Sequence, residues 1–223
     1  MNFLINILKI KKIPNLSWSS QDPLNFKPKL KTILYLVLGL ILFAIGETLL
    51  ITANQGVSPW TVLAQGVSNL SSWSIGASTF IISTAVLFLW WPLKQIPGIG
   101  TILNAIIIAA ILEFVLPHIP TPRSNVLQVS QAIMGVLVTG IGGAIYLISN
   151  LGPGPRDGLM TGLQQLTNLP IALVRGSIEV TVVIVGWTLG GEVGLGTLLF
   201  AFFIGPSLAS SLFLFNKICA KKK

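Results

Sequence analysis

Offset by 96 positions, this chain aligns with itself without a gap. Gly39 falls on Gly135, Gly46 on Gly142, Asn54 on Asn150, and Gly56-Val57-Ser58-Pro59 on Gly152-Pro153-Gly154-Pro155. The register runs on through Leu63/Leu159, Gly66/Gly162, Leu70/Leu166 and Trp91/Trp187 to Gly98-Ile99-Gly100-Thr101 over Gly194-Leu195-Gly196-Thr197. Between residues 39 and 109, twenty of seventy-one pairs are identical. A shared apolar composition yields chance matches among Leu, Ile and Val, but not so many glycines and prolines in one register. One structural unit is written twice, and that confines the fold to architectures built from repeats.

The unit is built for lipid. The chain is 52% hydrophobic and only 9% charged, against the roughly 25% charged residues of soluble domains. Apolar stretches cover 32–53, 75–93, 99–117, 126–149, 171–189 and 195–216. Each approaches the roughly 20 residues that a helix needs to cross a hydrocarbon core. Runs such as Ile102 to Leu112 lack the in/out alternation of a β-barrel strand. The expected fold is therefore an all-α polytopic membrane protein with six transmembrane helices, arranged as two three-helix repeats. Its parts are a basic tail over 1–31, repeat 1 over 32–117, repeat 2 over 126–216 and a basic C-terminus over 217–223.

The net charge of +8 is not a nucleic-acid signature, because of where it lies. Lys9, Lys11, Lys12, Lys27, Lys29 and Lys31 precede the first span, and Lys217, Lys221, Lys222 and Lys223 follow the last. Such clusters orient a membrane protein and attract anionic lipid, so the partners expected are the bilayer and its anionic headgroups rather than nucleic acid. With both termini cytoplasmic, the inner side also receives Lys94 and the Arg156 loop, and the outer loops hold only Arg123. An even number of spans fits that bias. The apolar residues among Phe3 to Ile10 stand ahead of all the tail's lysines but Lys9, the reverse of a secretory signal, and read as an interfacial anchor. The tail up to about Pro28 is expected to have little fixed structure. Cys219 is the sole cysteine, which leaves no disulfide framework, and no cluster has metal-ligand spacing. No cofactor is expected.

Within each repeat a glycine–proline break interrupts the run. Gly56 and Pro59 in one half, and Gly152 and Pro155 in the other, precede short segments at 60–70 and 156–166. Eleven helical residues reach only about 17 Å, too little to cross. Ser58 before Pro59 is a sound helix start, and Asp157 falls in the first turn of its partner, near the positive end of the dipole. These are half-helices. Three spans per repeat would give the second copy the opposite orientation, the inverted topology of several secondary transporters, whose substrates bind near mid-membrane where broken helices converge.

Ionisable groups inside a membrane are costly and commonly functional. Arg156, Asp157, Arg175 and Glu179 stand opposite Trp60, Thr61, Thr79 and Ser83, so one copy has gathered charge where the other is neutral. The predicted topology puts this quartet at the cytoplasmic mouth of an internal cavity, with an arginine meeting an anionic group. The competing reading has the four neutralise one another, Arg175 and Glu179 pairing at i, i+4. Glu47, opposite Gly143, is a candidate proton carrier; with Glu113 it is assigned to the outer half. Asn54 and Asn150, just before the breaks, serve either freed backbone groups or a substrate. The paired Gly-x-Gly-Thr elements read as packing devices, since they lack the lysine and preceding strand of a phosphate loop. No nucleophile–base pair is evident, so an enzyme is not expected.

Gly-Val-Ser-Pro-Trp (56–60), Gly-Pro-Gly-Pro-Arg-Asp-Gly-Leu-Met (152–160), Arg175 to Glu179 followed by Gly186-Trp187, and the stretch 189–197 together resemble the YczE-like integral membrane proteins of the YczE/YyaS/YitT group. The resemblance covers about residues 32 to 216 and implies a multi-pass protein of the bacterial inner membrane. It carries no substrate or reaction with it. A small secondary-transporter-like permease for a small polar or anionic solute is the expected function, with a membrane scaffold or assembly factor binding a partner protein as the alternative. A chain this slim makes a homodimer plausible.

Overall fold

The computed structural model describes residues 13–220. Among them lie eight α-helices and no strand: α1 (Leu30–Thr52), α2 (Pro59–Ser71), α3 (Ile75–Trp90), α4 (Ile99–Val115, prolonged by a 3-10 turn, Leu116–His118), α5 (Asn125–Ser149), α6 (Pro155–Thr167), α7 (Ile171–Thr188) and α8 (Leu195–Ala220). The half-helices fall where the breaks predict. Each has proline in its first turn and ends in a left-handed residue, Ser72 for α2 and Asn168 for α6.

Five helical segments are long and apolar enough to cross a membrane: Leu30–Thr52, Ile99–His118, Asn125–Ser149, Ile171–Thr188 and Leu195–Cys219. The span expected over 75–93 is shorter than that. It forms the sixteen-residue α3 and stops in a turn over 91–94, where Lys94 takes a left-handed conformation (φ 53°). With α2 it makes a pair bent by 112°.

The centre is the crossing of α1 and α5. A Cβ on Gly142 would stand 2.3 Å from Phe43 N and 2.6 Å from Gly39 O, and one on Gly46 2.5 Å from Thr139 N and 2.7 Å from Gly135 O. Partner numbers on α5 fall as those on α1 rise, so the two helices run antiparallel. The four glycines are two pairs of equivalent positions, 39/135 and 46/142, and each copy's upper glycine meets the other's lower one. Without side chains the backbones approach closely, which in lipid is how helices associate tightly.

Around this pair the packing repeats itself. α4 lies on α1 as α8 lies on α5, and each half-helix packs on the third helix of the opposite copy, α2 on α7 and α6 on α3. Each break loop locks against the Gly-x-Gly-Thr element of the other half. Gly100 N–H donates to Leu151 O at 2.7 Å, and its equivalent Gly196 N–H to Gln55 O at 2.6 Å. Gly56 and Gly152, both at positive φ (90° and 106°), permit this approach; a Cβ on Gly56 would lie 2.3 Å from Gly194 N. In one place the copies differ in packing. The Trp90 ring covers Gly158, while at the equivalent contact Gly186 lies against the backbone of Val62 and Leu63.

The expectation of little fixed structure up to Pro28 does not hold for residues 13–28. Leu16 and Trp18 are buried against α5 and α8, and Trp18 stacks on Tyr35 with centroids 4.4 Å apart. Ser20 N–H donates to Ser149 O at 2.9 Å, and Asn150 Nδ2 returns a bond of 2.9 Å to Ser20 O. The apolar anchor read at Phe3 to Ile10 and Lys221 to Lys223 lie outside the described residues.

Gly142→Val is expected to abolish folding, because both atoms it would strike are backbone. Gly176→Ala and Gly205→Ala, where an added Cβ meets nothing within 4 Å, should be neutral or gain up to about 1 kcal/mol of helix stability. Thermal unfolding and monodispersity in detergent check both.

Candidate functional site

Between the two copies lies a cavity of about 110 Å³. Four pairs of equivalent positions line it from opposite sides: Phe43/Thr139, Trp60/Arg156, Asn104/Phe200 and Ile108/Ile204. The cavity therefore straddles the axis relating the repeats. Its chemistry is not symmetric, since every charged lining residue (Arg156, Asp157, Arg175, Glu179) comes from the second copy. The packing is also asymmetric there. α3 lies along α4, whereas α7 and α8 make no comparable contact, and the cavity occupies the space between them.

The two half-helices bring their N-terminal turns together at Trp60 and Arg156. The Arg156 guanidinium carbon sits 5.3 Å from the centroid of the Trp60 ring, a cation–π distance. Among the described residues Arg156 makes no hydrogen bond and no ion pair. Its neighbour Asp157 is engaged by the hydroxyl of Tyr146 on α5. Two lining residues carry donors without partners, the indole Nε1–H of Trp60 and the hydroxyl of Thr139; both atoms are themselves buried, the hydroxyl against Gly46 in the α1–α5 crossing. Buried donors without acceptors are costly, about 1–3 kcal/mol each.

The sequence-predicted quartet is thus brought to one cavity. Arg175 and Glu179 form the expected i, i+4 pair, Nε to Oε1 at 2.8 Å, on the α7 side of the opening. The pair is part-exposed and neutralises itself, while Arg156 stands near the carboxyl groups of Glu47 and Asp157 without a hydrogen bond or ion pair to either.

Glu47 does not stand with Glu113 in a separate half, as its place in the sequence implied. It is 2% exposed, and its Oε2 accepts hydrogen bonds from Ser58 and Thr61, each at 2.7 Å, at the start of α2 beside Trp60. Its charge acts on Arg156 directly. Ser58 and Thr61 are 2.9 Å apart and close the triangle, while Glu47 Oε1 is buried without a partner. Glu113 instead accepts from Ser74 at the N-cap of α3. The reason is topological: the break turns the start of α2 back toward the last turns of α1, and nothing local in the sequence says how far.

The halves solve the same problem in opposite ways. In the first, a carboxylate on the long helix (Glu47) reaches hydroxyls on the half-helix. In the second, a carboxylate on the half-helix (Asp157, equivalent to Thr61) reaches a hydroxyl on the long helix.

Asn54 and Asn150 stay away from the cavity. Both adopt left-handed conformations, φ 53° and 52°, and end their helices. Four further residues with polar side-chain atoms line the cavity and are not among the sequence-predicted set: Trp60, Asn104, Thr139 and Tyr146. Each is a polar group in an apolar helix, and a buried indole, amide, hydroxyl or phenol needs a partner, which is the signal that singles them out.

Residues 30–211 match a family of unknown function, DUF6198. The chain belongs to that family. An uncharacterized protein of Haemophilus influenzae is 42% identical over 197 residues, covering 88% of this chain and 89% of its own. The uncharacterized membrane protein YczE of Bacillus subtilis is 32% identical over 183 residues, covering 78% and 82%, and the uncharacterized protein YyaS of the same organism is 24% identical over 170 residues, covering 74% and 85%. No solved structure matches. The protein is a YczE-like, multi-pass integral membrane protein.

Ser58→Ala combined with Thr61→Val removes both donors from a buried carboxylate and should destabilise the fold by about 2–5 kcal/mol. Adding Glu47→Leu should recover part of that loss, because no charge is then stranded. Thermal unfolding of the unaltered protein and the two variants in one detergent decides it.

Proposed function

We propose that this protein is a small secondary-transporter-like permease that binds a small anionic solute between its two halves. The observation that carries the reading is the Arg156 guanidinium, which lines the cavity, lies over the Trp60 ring and has no hydrogen-bonded acceptor among the described residues. An anion placed there meets a planar cation and the positive ends of two half-helices at once. The cavity's volume suits a solute of a few heavy atoms.

The membrane arrangement proposed with it is six crossings in two inverted repeats, with α2 and α3 together replacing one simple span. The antiparallel contact of α1 with α5, the first helix of each copy, supports inversion. Trp60 and Arg156 are equivalent positions that touch each other, so their contact lies on the relating axis. For inverted repeats that axis lies in the membrane plane, and the site then sits at mid-depth rather than at the cytoplasmic mouth. The lysine distribution favours cytoplasmic termini and a bacterial inner membrane as the location.

Ser72 and Asn168 are equivalent, exposed and terminal on their half-helices. Cysteines introduced there singly, with Cys219 replaced by serine, should be labelled by an impermeant maleimide from opposite faces of membrane vesicles. Labelling from one face for both would end the inverted model.

Proteoliposomes should take up at least one of radiolabelled acetate, nitrate or inorganic phosphate in a saturable way. Arg156→Gln should reduce that uptake tenfold or more, and Arg156→Lys should retain part of it, since charge survives but the planar stack on Trp60 weakens. Uptake indifferent to both variants would remove Arg156 from the pathway.

A further inference from the structure

Trp60 is a wall of two spaces. On one side lies the polar cavity with Arg156; on the other lies a groove of about 500 Å³ between α3 and α7, floored by α2 and α6. Four pairs of equivalent residues, Leu63/Leu159, Ile82/Ile178, Ala85/Thr181 and Val86/Val182, line this groove, so it too lies on the axis relating the repeats. Apart from Trp60, only Ser177 and Thr181 bring polar atoms to its lining. Its rim residues Ala85, Leu89 and Thr181 are exposed on the outer face of the helices, the face that meets lipid in a membrane protein.

α7 serves both spaces. Arg175 and Glu179 face the polar cavity, and Ile178 and Val182, on the neighbouring side of the same helix, face the groove. A compartment lined by Arg156 thus adjoins a larger apolar compartment open toward the bilayer, with the Trp60 side chain lining both. A small, fully hydrated anion uses the first and leaves the second idle.

We infer that the substrate is an anionic amphiphile with a single alkyl chain, which enters sideways from the bilayer, sets its headgroup against Arg156 and lays its chain in the groove beyond Trp60. This rests on the anion-permease reading and narrows it: charge complementarity selects the headgroup, and the adjoining groove selects a tail over a bare ion. The mutual position of the two compartments also gives the substrate a direction of approach. Headgroup and tail part company at Trp60, the one residue that lines both compartments.

The test is a chain-length series of straight-chain carboxylates, acetate, octanoate, decanoate and dodecanoate, competing against radiolabelled dodecanoate on the full-length protein in nanodiscs, with empty nanodiscs subtracted. Affinity is expected to climb steeply with length, by up to about threefold to fourfold per buried methylene. Arg156→Gln should weaken every member by a similar factor of about ten or more. Ala85→Trp and Thr181→Trp, placed at exposed rim positions where the fold tolerates bulk, should shrink the gain per methylene. If acetate binds through Arg156 but affinity is flat with chain length, the amphiphile is excluded and a small-anion permease stands. If long chains bind but neither Arg156→Gln nor the rim tryptophans change them, they only partition into lipid and the proposal fails. If no carboxylate binds at all, the anion site falls and the amphiphile with it.

Discussion

Everything in this molecule hangs on the crossing of α1 with α5, where four glycines let two backbones touch. In lipid no hydrophobic effect drives helices together, so close van der Waals contact and small residues must supply the association. Gly39 against Gly142 and Gly46 against Gly135 are the same contact made twice, once from each copy. Such self-complementary contact is what a two-fold axis produces in a homodimer, here enclosed within one chain. Once these helices are set, the break loops fall against the opposite Gly-x-Gly-Thr turns and the half-helices against the opposite third helices.

The candidate site follows from that geometry. An axis brings equivalent positions face to face, and duplication made those positions alike to begin with. Function requires them to differ. At Trp60/Arg156, Phe43/Thr139 and Asn104/Phe200 one partner has become polar or charged while the other stayed aromatic. The result is an electrically uneven cavity in an otherwise even scaffold. It opens where the second copy fails to close α7 onto α8 as the first closes α3 onto α4.

Much of this was legible from residue order. The offset of 96 positions, the apolar runs and the glycine–proline breaks located the half-helices to within a residue or two, because helix starts are written in local chemistry such as Ser58-Pro59. The charged quartet was found by asking where the copies disagree. What stayed hidden depended on distance in the fold. Glu47 reads as an isolated carboxyl in a span, and only the back-folded α2 brings Ser58 and Thr61 to it. Residues 13–28 look like a polar tail, yet Trp18 finds Tyr35 and the end of α5. The α3 region looked long enough to cross until Trp91 to Lys94 turned away.

The contact of Trp90 on Gly158 and its equivalent, Gly186 on the backbone of Val62 and Leu63, reach different solutions from the same positions. The first is filled by a side chain and the second by the approach of two backbones. A chain made of two first halves would press a tryptophan ring on a valine at both places. The first copy therefore cannot stand in for the second, and the asymmetry of the cavity extends into the scaffold that frames it.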